Sequence, residues 1–179
     1  MAKTIEAIRS RTPDTTIEVL ISDCRGDTTS LDSIFAARPD VLNHNIETVA
    51  RLQRAVRPSA GYARSLAVLA RAKEWELTTK SGLMVGLGET SDEVVATMAD
   101  LHGVGVAIVT IGQYLRPTRE HLPVARFWAP EEFDDLKAQG ARLGLTHVEA
   151  SPLTRSSYHA RDAATAANAV PVQLVRTGG

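Results

Sequence analysis

Apolar residues along this chain switch repeatedly between two rhythms. Short β-branched runs alternate with longer stretches whose apolar positions are spaced by three and four. Residues 16–21 (TIEVLI), 41–45, 79–85, 106–112 and 146–150 carry the first rhythm and read as strands. Residues 1–11, 30–37, 48–56, 62–75, 91–102 and 130–143 carry the second and read as helices. Punctuation supports the division. Pro13 ends the first helix, Pro58-Ser59-Ala60-Gly61 separates the third from the fourth, and Pro130 opens the last at its first position. Ser30 or Asp32 is expected to cap the second helix and Ser91 the fifth, with Asp92 and Glu93 in its first turn. Strand–helix alternation at this spacing predicts an α/β fold of about five parallel strands joined by right-handed crossovers. Ligands of such folds bind at the carboxyl ends of the strands, so a site is expected along that rim.

Composition narrows the function classes. The chain has 179 residues, 44% hydrophobic and 23% charged, enough for one domain with a true core. Twenty basic residues stand against 21 acidic ones, for a net charge of −1. That balance gives no electrostatic case for nucleic acid or an anionic membrane. No apolar run approaches the ~20 residues of a membrane span. Residues 1–11 have no apolar stretch of the signal-peptide kind, so a cytoplasmic location is expected. Cys24 is the single cysteine. It can neither close an internal disulfide nor hold a metal cluster alone, and beside Arg25 it reads as an inert thiol.

Polar motifs follow several strands. The segment 79–90 (TKSGLMVGLGET) places glycines after a strand, where a ligand can approach the backbone and the next helix offers free N–H groups. A tight turn with no ligand fits the same spacing equally well. Asn43-His44-Asn45-Ile46-Glu47-Thr48 gathers amides and a carboxylate that suit a ribose or an ammonium better than a metal. His44, between two asparagines, reads as a structural hydrogen bonder ahead of a ligand or general base. Glu47 alone is also a plausible helix N-terminal charge. Arg155-Ser156-Ser157-Tyr158-His159 reads as a basic turn, and the acidic pairs Glu131-Glu132 and Asp134-Asp135 as a solvated helix face. Gly-x-Ser-x-Gly, His-Glu-x-x-His and phosphate-binding Gly-Lys-Ser patterns are absent from the sequence.

Taken together and in order, these segments resemble lipoyl synthase, a family of radical S-adenosylmethionine enzymes. The resemblance rests on 38–49 (RPDVLNHNIETV), 79–90, 110–117 (TIGQYLRP), 121–124 (HLPV), 130–133 (PEEF) and 155–159 (RSSYH). It covers nearly the whole chain to His159. It implies a partial (β/α) barrel of the TIM type, the radical SAM fold, with residues 1–159 as its C-terminal part; the Ala-rich residues 160–179 are expected on composition to form a disordered tail. The implied activity is a sulfurtransferase reaction that inserts two sulfurs at C6 and C8 of a protein-bound octanoyl group. The implied cofactors are S-adenosylmethionine and two 4Fe-4S clusters, one of them the sulfur source. The implied partners are octanoylated carrier proteins (the glycine cleavage H protein and E2 lipoyl domains) and an external electron donor, with no nucleic acid and no membrane span.

Carried over by motif, Gly86, Gly88 and Glu89 would shape the S-adenosylmethionine pocket. Asn43, Asn45 and Glu47 would reach its ribose and methionine part, and Arg64 and Ser65 its carboxylate. Main chain at Gln113, Tyr114 and Leu115 would meet the adenine. Ser157, with Ser156 as the alternative, would be the serine ligand of the auxiliary cluster. The family's six cluster cysteines have no counterpart here, and Cys24 stands where the family commonly has Phe. The expectation is a C-terminal segment, as an internal start, a truncated gene model or a split gene would give, inactive without the cysteine-bearing half. The competing expectation is a non-catalytic remnant that binds at most a nucleotide or a carrier protein.

Overall fold

A computed structural model describes residues 1–157 and Thr165. Tyr158, His159 and, apart from Thr165, the expected tail over 160–179 lie outside the described residues. The chain runs α1 (Ala2–Arg11), β1 (Glu18–Leu20), α2 (Thr28–Ala36), β2 (Val41–Asn43), α3 (Gln53–Val56), α4 (Tyr62–Glu74), β3 (Thr78–Val85), α5 (Ser91–Gly103), β4 (Ile108–Gln113), α6 (Pro130–Leu143) and β5 (His147–Ser151). The five strands are parallel and lie in the order β1-β2-β3-β4-β5. Adding right-handed crossovers always in one direction keeps every helix on one face, which is how a barrel wall is built. A doubly wound sheet would reverse its strand order, and this one does not.

Register shows the two faces plainly. Val19, Leu42, Leu83, Val85, Val109, Ile111 and Ala150 point toward the helices and pack in two clusters. One cluster joins them to Leu69 of α4, Val94, Met98 and Leu101 of α5, and Phe133 and Leu136 of α6. The other adds Ile5 of α1, Leu31 and Phe35 of α2, and Val68 and Ala72 of α4. Each of these buried side chains larger than alanine contributes about 1.5–3 kcal/mol relative to exposure. The opposite, helix-free face is polar. Pairings Asn43↔Lys80, Thr110↔Glu149 and Gly112↔Ser151 set Glu18, Asn43, Lys80, Thr110, His147, Glu149 and Ser151 on it, with Val41 and Ile108 as a small apolar patch.

Three local expectations are corrected. Asp27, not Ser30 or Asp32, caps α2, its carboxylate accepting from the Ser30 N–H at 3.0 Å. Thr90, not Ser91, caps α5, accepting from the Glu93 N–H at 3.2 Å while Glu93 reaches back to the Thr90 N–H. Residues 48–56 do not form one helix. Glu47 has a left-handed φ of +71° and Val49 is extended, so a 3-10 turn over Ala50–Leu52 precedes the four residues of α3. No helix among the described residues is long and apolar enough to cross a membrane.

Candidate functional site

The site forms where β2, β3 and β4 end on the helix-free face. Gly82 lies mid-strand in β3, a placement that marks close approach of another group. A methyl there would lie 2.8 Å from Asn45 Oδ1 and 2.9 Å from Thr110 Oγ1, so only glycine lets those side chains meet over the strand. Gly112, its counterpart on β4, is pressed against the Thr154 carbonyl, which folds residues 154–156 over the end of the sheet. Between these lies a cavity of about 260 Å³ lined by Asn45, Glu47, Gly82, Thr110, Gln113, Leu115 and Ser156, among others. Three motifs distant in sequence thus share one cavity.

Its electrostatics suit a cationic, hydroxyl-bearing ligand. Asn45 is pinned through its carbonyl, which accepts from Arg57 at 2.9 Å, while its Oδ1 is buried without a hydrogen-bond partner. Burial raises the Glu47 carboxyl above the ordinary carboxylate value, against the opposing pull of Arg57 and the Asn45 amide. A cation brought beside Glu47 would stabilise its ionised form. The backbone of Glu47 is tied to β3 on both sides, its N–H to the Gly82 carbonyl at 3.0 Å and its carbonyl to the Met84 N–H at 2.9 Å. That bracing holds the left-handed residue in place.

The turn after β3 is built by Glu89. Its carboxylate accepts from the Gly86 N–H at 2.6 Å and the Leu87 N–H at 2.9 Å, and is 5% exposed. Gly86 (φ +104°) and Gly88 (φ +105°) adopt backbone conformations that favour glycine. A side chain at Gly86 would strike Gln113 and the Arg126 carbonyl. Gln113 in turn donates to the Arg126 carbonyl at 3.1 Å and accepts from the Trp128 N–H at 2.9 Å. Gly86, Gly88 and Glu89 shape the rim and do not themselves line the cavity.

Of the residues expected at the site, Asn45, Glu47, Gln113, Leu115 and Ser156 line the cavity. Ser157 is exposed beside it. Tyr114 is buried, its hydroxyl donating to the Leu122 carbonyl at 2.9 Å. Asn43 lies deeper on the same face, where it donates to Glu18 at 3.1 Å and keeps an unpartnered Oδ1. Ser65 is fully buried against His44 at 3.0 Å. The other nitrogen of His44, Nδ1, meets the Ile21 carbonyl at 3.0 Å. A carbonyl only accepts, so Nδ1 carries the proton and Nε2 accepts from Ser65. Burial also lowers the His44 pKa, which keeps the ring neutral. Arg64 pairs with Asp23 at 2.6 Å. Burial works to raise Asp23, but the Arg25 N–H and the Arg64 guanidinium together hold it below its ordinary value.

Gly82, Thr110, Gly112 and Thr154 were not assigned to the site from sequence, and Arg155 was read only as part of a basic turn, though they too line the cavity. A glycine inside a predicted strand is the one signal that pointed to Gly82.

The described residues contain no group of three or more His, Cys, Asp or Glu placed to hold a metal ion. Cys24 is half-buried and accepts only a weak contact from Ser22 at 3.8 Å. One thiol in the sequence does not fit an iron–sulfur cluster. The unpartnered amide oxygens, the buried carboxylate and the glycine floor do fit S-adenosylmethionine.

Residues 1–101 match the radical SAM superfamily. A lipoyl synthase from Rubrobacter xylanophilus is 55% identical over 163 residues, which is 90% of this chain and 51% of that protein. One from Geobacillus sp. (strain WCH70) is 53% identical, covering 94% of this chain and 57% of its own length. One from Chlorobaculum parvum is 54% identical, covering 88% and 54%. The chain therefore spans about half the length of the curated relatives it matches.

Proposed function

This chain belongs to the radical SAM superfamily, and from that premise we propose that it is the S-adenosylmethionine-binding portion of a lipoyl synthase. The reaction of the whole enzyme would be insertion of two sulfurs at C6 and C8 of an octanoyl group held on a carrier protein, carried out in the cytoplasm. The observation that carries the reading is the shared cavity. Asn45-Ile46-Glu47, Gln113-Tyr114-Leu115 and Arg155-Ser156 converge on the carboxyl ends of the strands in a chain more than half identical to lipoyl synthases.

In this reading S-adenosylmethionine, when bound, supplies the hydrogen-abstracting chemistry that sulfur insertion requires. This chain's part is to bind and orient it. Glu47 draws the amino-acid ammonium, because a desolvated carboxylate gains most from a cationic partner. Asn45 Oδ1 and, deeper, Asn43 Oδ1 are free acceptors for ribose hydroxyls or the ammonium. Main chain at Gln113, Tyr114 and Leu115 flanks the adenine edge, on a rim whose shape Gly86, Gly88 and Glu89 maintain. Arg64 and Ser65 would reach the carboxylate only after giving up Asp23 and His44. Ser157, or Ser156 on the cavity wall, is the expected side-chain oxygen for the auxiliary cluster. Neither cluster is completed by these residues, since Cys24 is the single thiol where six are needed. No activity is therefore assigned to the chain by itself.

A chimera tests this reading. The segment would be joined to the part of the Rubrobacter xylanophilus lipoyl synthase that it does not match, in cells lacking their own enzyme. Growth without added lipoate is expected. Failure to grow, where the intact relative rescues, would count against the assignment.

A further inference from the structure

Three adjacent strands are joined on the helix-free face by one carboxylate. Glu18 of β1 accepts from Lys80 Nζ of β3 at 3.0 Å through each of its oxygens. Its Oε1 also accepts from Asn43 Nδ2 of β2 at 3.1 Å. Asn43 and Lys80 are register partners, 1% and 0% exposed. Two residues further along the chain from each stand Asn45 and Gly82, which line the cavity.

The chemistry of this trio fixes a direction. A carboxylate only accepts hydrogen bonds, so the Asn43 amide must turn its nitrogen to Glu18. Its oxygen is thereby sent the other way, and Oδ1 is buried with no partner. Burying an acceptor unpaired is costly, and so is taking an ammonium and a carboxylate out of water. Such a charge pair adds little stability over apolar side chains of similar volume. What it does add here is control over which end of one buried amide is on offer.

We propose that Glu18, held by Lys80, is a positioning residue for the S-adenosylmethionine site: it anchors the Asn43 nitrogen and so keeps Asn43 Oδ1 as the acceptor presented to a donor of the ligand. The identity of the ligand rests on the S-adenosylmethionine reading; the direction of the amide rests on the hydrogen bonds alone. Freed of Glu18, the amide would turn about its last bond and spend part of its time with the nitrogen toward the ligand.

The test uses the full chain and S-adenosylmethionine, with the dissociation constant read by equilibrium dialysis and folding by urea melts. Glu18→Leu combined with Lys80→Met removes both charges and strands neither, so the fold is retained. Affinity should nonetheless fall about fivefold. The same double change in an Asn43→Ala chain should cost no further affinity, because the pair acts through that amide. Undiminished affinity in the folded double variant overturns the proposal, as does an equal loss with and without Asn43. The wild-type chain gives a measurement that does not depend on the variant's folding. One Asn43 side-chain N–H, identified by its absence from the NMR spectrum of Asn43→Ala, should be protected from exchange, and rapid exchange overturns the proposal. A wild-type chain that does not bind S-adenosylmethionine sinks the cavity reading and the proposal with it, whereas binding that ignores the pair sinks the proposal alone.

Discussion

Gly82 is a residue at which one added methyl group would disturb the site through side chains alone. Its added Cβ would press on Asn45 Oδ1 and Thr110 Oγ1 at under 3 Å, and both belong to the cavity wall. Gly82→Ala should cost ~1–3 kcal/mol in a urea melt and weaken S-adenosylmethionine binding roughly tenfold in equilibrium dialysis. Gly103→Ala, where an added Cβ meets nothing within 4 Å, is the control that should do neither. Beneath the cavity, Lys80 is fully buried with both Glu18 oxygens 3.0 Å from its ammonium. Removing one charge of such a pair strands the other. Lys80→Met should cost ~3 kcal/mol, and Glu18→Leu in the same chain should restore much of it, a coupling that a thermodynamic cycle reads directly. Ser157→Ala, made in a complete enzyme containing this segment, should abolish sulfur insertion while cleavage of S-adenosylmethionine survives. Wild-type lipoyl product would refute the assignment, and damage at Ser156→Ala alone would move it one residue.

Among the elements, α5 carries the most pH-sensitive start. Arg51 and the Thr90 backbone hold the Glu93 carboxyl down to about 2 from an ordinary 4.5. A depressed carboxylate stabilises the fold above its unfolded value and ceases to do so as pH falls through the folded one. Stability from this cap should therefore be intact at neutral pH and decline between about 4.5 and 2. Glu93→Gln should flatten that part of the profile, as measured by urea melts across the range. The same helix shows what sequence can and cannot tell. Its position and length follow from apolar spacing, as do the positions of all five strands, although β1 and β2 are shorter than the runs over 16–21 and 41–45. Its cap does not, because Thr90, Ser91 and Asp92 are all capping residues and the choice depends on where the chain turns. The failure over 48–56 has a similar cause. Nothing in Glu47-Thr48-Val49 announces a left-handed residue, which is imposed by hydrogen bonds to a strand 35 residues away. Thr110 and Gly112 were missed because they meet Asn45 and Thr154 only through register. Ser65 is a polar helix residue whose partner, His44, appears only when α4 packs on the sheet.

For the molecule as a whole, a half-length match and a well-packed parallel sheet belong together. The strands, their polar face and the cavity are present, and the thiolates are not. The central claim is that this chain contributes the S-adenosylmethionine site of a lipoyl synthase and none of its cluster thiolates. Anaerobic reconstitution with iron and sulfide, followed by assay of bound iron and of 5′-deoxyadenosine, tests it most directly. The account predicts far less than one cluster per chain and no 5′-deoxyadenosine above background. A stoichiometric cluster with turnover of S-adenosylmethionine would contradict it.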